Sequence, residues 1–219
     1  MTSCGRHASQ QRTGAASDSL QVVAAAERAL KAGAPKLEWW AARWSRFVPG
    51  FTLDSLRPAR VSPLPRPGDG ASNLRREREL DRELFGEPSS DSGFVADPDL
   101  YRSYSDGEIE LSPEPDSWAI LIDTKSDSVT TLAQCGTLCL FERTVWLGPR
   151  IVVLTQLMED WQDSSSGWGE ISLFDLERRT RVDFRTPRTS HLEDARAAAR
   201  AELEAYYRVR VKALAQLRK

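Results

Sequence analysis

Histidine and cysteine are scarce: the 219 residues contain two His (His7, His191) and three Cys (Cys4, Cys135, Cys139). A structural zinc site takes four such ligands, and no spacing here gathers them, so neither a metal nor another cofactor is expected. His191 stands beside Ser190 where a helix should begin, a place where both serve structure, and there is no G-x-S-x-G elbow and no glycine-rich phosphate loop. Nucleophilic catalysis therefore has no motif to rest on. No apolar run reaches the roughly 18 residues that span a bilayer as a helix, and no signal-peptide h-region is visible. Net charge of one sign is missing too. With 30 basic against 32 acidic side chains the balance is −2, which exerts no whole-chain pull toward nucleic acid or anionic lipid.

Charge is instead segregated. Residues 1–80 carry a net +6 and residues 81–127 a net −10, so an acidic belt lies between basic ends. Opposite charges on a surface attract by only about 0–1 kcal/mol per pair. Within the belt, the segment from Asp97 to Glu110 lacks the D-x-D-x-D-G spacing of a calcium loop and reads as a solvated acidic loop.

Four segments follow from composition and periodicity. Residues 1–17, rich in Ser, Gln, Gly and Ala, read as a disordered tether. Residues 18–48 form a helical segment rich in Trp. A helix starts near Asp18 or Ser19 and stops at Gly33, and a second face follows, made of Leu37, Trp40, Ala41, Trp44, Phe47 and Val48, with Glu38, Arg43 and Arg46 elsewhere. Residues 49–107 form a Pro-rich and acidic linker, extended because each proline fixes φ and biases its predecessor away from helix, with a short charged helix from about Ser72 or Asn73 to Leu84. Residues 108–219 contain the sheet and a C-terminal helix.

Strands are expected at about 117–123, 128–134, 138–147, 150–158, 169–176 and 180–186. Ile151-Val152-Val153-Leu154 is β-branched and uncharged, as a strand covered on both faces requires. Ile171, Leu173, Val182 and Phe184 alternate with polar residues, which suits one wet face. A long helix from about Leu192 to Leu217 follows, with Ser190 and Glu193 spaced as a capping box and an apolar stripe that must pack on the sheet. The expected class is α+β: a single antiparallel meander of about six strands, with N-terminal helices and the long amphipathic helix packed on it.

Two hairpins resemble each other. Ala119 to Thr124 with return residue Val129 parallels Ile171 to Leu176 with return residue Val182, each with an Asp (Asp123, Asp175) at the strand exit. The pattern resembles the outer hairpins of β-propeller blades, although two units are too few to close a ring. Met1-Thr2-Ser3-Cys4-Gly5 followed by a polar stretch resembles the end of a bacterial lipoprotein signal. Together these features resemble uncharacterised bacterial exported lipoproteins with a blade-like sheet. That resemblance implies Cys4 as a lipidation site and placement in the periplasm or cell envelope; the alternative is a cytoplasmic protein in which Cys4 is incidental.

Cys135 and Cys139 flank Gly136-Thr137-Leu138. If the chain turns there they can form a disulfide; otherwise they are a pair of core thiols. Trp161 and Trp168 bracket a polar stretch that includes Asp163, an arrangement suited either to a ligand surface or to pinning the base of a loop. The leading expectation is a non-enzymatic binding or accessory protein with a protein or carbohydrate partner, no nucleic-acid partner, and a membrane association only through a lipid anchor. Two alternatives are a carboxylate-dependent hydrolase and an intracellular interaction module that docks through the Trp-rich helix.

Overall fold

The central strands, Cys139–Gly148, Ile151–Asp160 and Asp163–Asp175, contribute apolar side chains to layers on both of their faces, and that determines the architecture. The computed structural model describes residues 7–66, 86–99, 102–105, 108–111, 117–126 and 128–217, with only the backbone at 7–17, 99, 102–105, 108–111, 211 and 214–217. Its elements are α1 (His7–Gly33), a 3-10 turn (Ala34–Leu37), α2 (Glu38–Trp44), β1 (Arg57–Pro63), β2 (Glu87–Pro88), β3 (Phe94–Asp99), β4 (Arg102–Ser105), β5 (Glu108–Leu111), β6 (Ser117–Asp123), β7 (Ser128–Cys135), β8 (Cys139–Gly148), β9 (Ile151–Asp160), β10 (Asp163–Asp175), β11 (Thr180–Arg185) and α3 (Leu192–Leu217). The class is α+β with antiparallel sheets.

The six expected strands all form, but in two sheets rather than one. The first has the order β1-β11-β10-β9-β8, the second β2-β3-β6-β7, and β4-β5 is a separate hairpin. The break falls between β7 and β8, where Cys135 and Cys139 are joined by a disulfide with a Cα separation of 5.6 Å. Alternation can say that a segment is a strand and not which strand it pairs with, so the change of sheet is invisible to it. The two similar hairpins consequently lie in different sheets. What they share is the turn: Asp123 Oδ1 accepts hydrogen bonds from the Lys125 and Ser126 amides, and Asp175 Oδ1 from those of Glu177 and Arg178.

Two further strands come from the segment read as a linker. Strand β1 pairs with β11 along one side, and its Pro58 and Pro63 are tolerated because β1 is the sheet edge. Strand β3 is flanked by β2, which pairs with Val95 and Ala96, and by β6, which pairs along its full length including Pro98. Asp97, expected in a solvated loop, is buried there at 5% exposure. The expected helix at 72–84 and Cys4 lie outside the described residues. Helix α1 ends at Gly33 as expected but starts at His7, eleven residues before Asp18, within the segment read as a tether.

Two apolar layers cover the first sheet. On one face Leu37, Trp40 and Trp44, all fully buried, pack with Val153, Leu157, Ile171, Leu173, Val182 and Phe184. Trp44 lies against the strand backbone at Gly169, where an added Cβ would meet the indole at 2.3 Å. On the other face Phe141, Trp146, Val152, Leu154 and Phe174 meet Ala96, Ala119, Leu121 and Leu132 of the second sheet. Helix α3 serves both layers: Leu192 and Ala195 join the first, Leu203 and Tyr207 the second. At its start Thr189 Oγ1 accepts from the His191 amide, while Glu193 turns to Arg196 at 2.7 Å instead of completing a capping box with Ser190.

Candidate functional site

Strand β8 changes parity in its middle. Leu140 faces the helix layer and Phe141 the inter-sheet layer, as a regular strand demands, but later residues are shifted: Thr144 and Trp146 face the second sheet and Val145 and Leu147 the helices. The cause is a β-bulge. Phe141 is opposite Gln156 and Arg143 is opposite Thr155, so Glu142 is an extra residue. Two successive charged side chains, Glu142 and Arg143, are thereby turned to the same helix-covered side.

Two helices meet that bulge with residues spaced by four, which places each pair on one helical face. Helix α2 supplies Trp39 and Arg43, and α3 supplies Glu202 and Tyr206. Arg43 is buried at 2% exposure and pairs through Nη2 with Glu142 Oε1, and through Nη1 with Glu202 Oε2 at 3.0 Å. The other oxygen of Glu202 takes Arg46 at 2.8 Å. Arg143 is held differently: its guanidinium lies over the Tyr206 ring at 3.6 Å and the Trp39 ring at 4.6 Å. Its Nε is buried without a hydrogen-bond partner, and among the described residues no carboxylate pairs with it. Among the described residues, three guanidinium groups therefore face two carboxylates.

A cleft of ≈ 450 Å³ opens here, lined by Trp39, Arg43, Arg143, Glu202, Leu203 and Tyr206. Its far wall is tied down by Glu87, which accepts from the Tyr206 hydroxyl and from Arg210, while Arg210 Nη2 also donates to the Gly86 carbonyl at 2.6 Å. Burial, and then the hydrogen bond to Glu87, push the Tyr206 phenol above its ordinary ionisation range. The cleft thus combines aromatic walls with one guanidinium that no carboxylate among the described residues pairs with.

A second polar group on the inter-sheet side contrasts with it. Glu170 accepts from Gln156 Nε2 at 2.6 Å and Arg185 Nε at 2.7 Å, and Asp183 from Ser172 Oγ at 2.8 Å and Arg181 Nε at 2.6 Å. Glu170 and Asp183 share this one hydrogen-bonded group through Ser172 and Arg181. Both are engaged by an arginine and by a neutral donor, an arrangement that anchors β9, β10 and β11 to one another.

The residues singled out from the sequence are dispersed. Trp161 is at the tip of a two-residue turn, 77% exposed. Asp163 begins β10 and is bonded to Ser165 Oγ at 2.6 Å and its amide at 3.1 Å, contacts led by the hydroxyl that hold its carboxyl below the usual range. Trp168 belongs to the Glu170 group, with Arg185 4.6 Å over its ring. Trp40 and Trp44 are core, leaving Trp39 as the helix's contribution to the cleft. Glu142, Arg143, Glu202 and Tyr206 are not singled out as site residues by the sequence, and Arg43 reads only as lying off the apolar face of its helix. The one signal available was Glu142-Arg143 itself, two charges interrupting an apolar strand. Among the described residues, no group of three or more His, Cys, Asp or Glu is placed to hold a metal ion. Comparison with protein-family models, curated proteins and solved structures finds no match to this chain.

Proposed function

We propose that this chain is a non-enzymatic binding protein that holds an anionic group of its ligand at Arg143, in the cleft between α2, the β8 bulge and α3. The observation that carries this reading is the stacked guanidinium, unpaired with any carboxylate among the described residues, on a cleft large enough for a small molecule. Binding is favoured over hydrolysis because Glu170 and Asp183, two buried carboxylates of one polar group, are each committed to an arginine. A thermal-shift screen of benzoate, phenylphosphonate and benzenesulfonate against the wild type and Arg143→Gln tests it. At least one anion should raise the melting temperature of the wild type and leave that of the variant unchanged; anions that act equally on both would refute the reading.

Placement outside the cytoplasm, with Cys4 as a lipid attachment point, is a companion proposal. The Cys135–Cys139 disulfide supports it, because such bonds persist in oxidising compartments. Reading the coding DNA upstream of Met1 decides the matter: an apolar run of about 7–15 codons after Lys or Arg supports the anchor, and a stop codon close upstream removes it.

A further inference from the structure

The cleft's geometry also constrains which anion it takes. Resting on the binding reading above, we infer that the occupant is a monocarboxylate carrying an apolar body, gripped through both oxygens by Arg143. Three observations converge on this class.

The first is the direction from which Arg143 can be reached. The Tyr206 ring covers the guanidinium at 3.6 Å, the Trp39 ring stands 4.6 Å away, and Nε is buried. With the Tyr206 ring over the guanidinium and Nε buried, the two terminal nitrogens are the donors assigned to a ligand approaching in the guanidinium plane. Two parallel N–H groups in one plane match the two oxygens of a planar carboxylate.

The second is charge. Among the described residues, Arg43, Arg46 and Arg143 face Glu142 and Glu202, and the Glu87–Arg210 pair adds nothing, so their sum leaves one positive charge to spare. A carboxylate brings one negative charge and leaves the cleft neutral. A phosphate monoester brings about −1.5 to −2 and would bring an excess of negative charge up to Glu202.

The third is the wall. Leu203, buried at 2%, and the Trp39 ring line the cleft beside Arg143, so the rest of the ligand meets apolar surface. A volume of ≈ 450 Å³ falls within the roughly 300–1,000 Å³ usual for small-molecule sites.

The test is isothermal calorimetry on the full chain with three probes that share a phenyl body: phenylacetate, its amide phenylacetamide, and phenylphosphonate. The expected result is binding of phenylacetate, with the amide weaker by roughly 10- to 100-fold because a charge-assisted pair is lost, and phenylphosphonate no tighter than phenylacetate. Arg143→Lys, which keeps the charge and loses the fork, should weaken phenylacetate about tenfold. It also serves as the comparison should Arg143→Gln not fold, as judged by circular dichroism. Phenylphosphonate binding tenfold tighter than phenylacetate and dependent on Arg143 would overturn the carboxylate assignment while leaving the anion-binding reading intact. No binding by either anion, or equal binding by the wild type and Arg143→Gln, would overturn both. An acetylated tripeptide ending in a free Leu carboxylate, run beside its C-terminal amide, distinguishes a protein terminus from a free acid as the source of the carboxylate.

Discussion

Replacing Glu142 with Gln should destabilise the protein by about 3 kcal/mol. The Arg43 and Glu142 side chains are 1% and 0% exposed, and removing one partner of such a buried pair typically costs about 3–5 kcal/mol, because the remaining charge is stranded away from water. The lower end applies because Arg43 keeps Glu202 at 3.0 Å. For a chain of this size each kcal/mol moves the melting temperature by about 2–4 °C, so a drop of about 6–12 °C is expected by calorimetry. Glu202→Gln is the internal control: its side chain is 37% exposed, and its loss should cost about 1 kcal/mol or less. Removing both charges as Arg43→Met with Glu142→Leu should recover most of the loss, since no buried charge then lacks a partner. A Glu142→Gln effect below about 1 kcal/mol, or one no larger than that of Glu202→Gln, would show that the bulge pair does not anchor α2 to β8 and would refute the argument.

Other outcomes follow from the same structure. Replacing Cys135 and Cys139 with Ser opens a loop closed at a sequence separation of 4, which should lower stability by about 2 kcal/mol in denaturant titration, and reductant should have the same effect on the wild type. Gly169→Ala drives a methyl group to within 2.3 Å of the Trp44 ring, so a loss of roughly 3 kcal/mol and a changed Trp fluorescence spectrum are expected. Because burial raises the Tyr206 phenol above 10.0, the fold favours its neutral form; that contribution is intact below pH 10.0 and is lost as pH rises through the folded value. Tyr206→Phe should therefore flatten the alkaline fall in stability measured from about pH 9 to about pH 12. Trp161→Ala, at a side chain 77% exposed, should change stability by no more than about 0.5 kcal/mol.

Secondary structure was legible where a periodic pattern was long enough to outweigh its neighbours. The run Ile151 to Leu154 reads as a strand covered on both faces, and it is one, with Val152, Val153 and Leu154 fully buried. The apolar stripe from Leu192 to Leu217 reads as a helix, and α3 spans those residues. Strand β1 was missed, because Pro58 and Pro63 argue locally for a linker and only its edge position makes them compatible with a ladder. The candidate site was less legible still. Arg43 looks solvated by its place on the helix, and what buries it is Glu142, 99 residues away in sequence.

Alternation, helix periodicity and turn residues are local properties, and they were sufficient to establish an α+β chain with antiparallel strands and a covering terminal helix. Pairing is not local. Whether β7 continues into β8's sheet, which side a bulge turns Glu142 and Arg143 toward, and which aromatic rings meet that guanidinium all depend on contacts between distant segments. Their energies arise when charge and apolar surface leave water together, so the sheet division and the cleft belong to the tertiary structure alone.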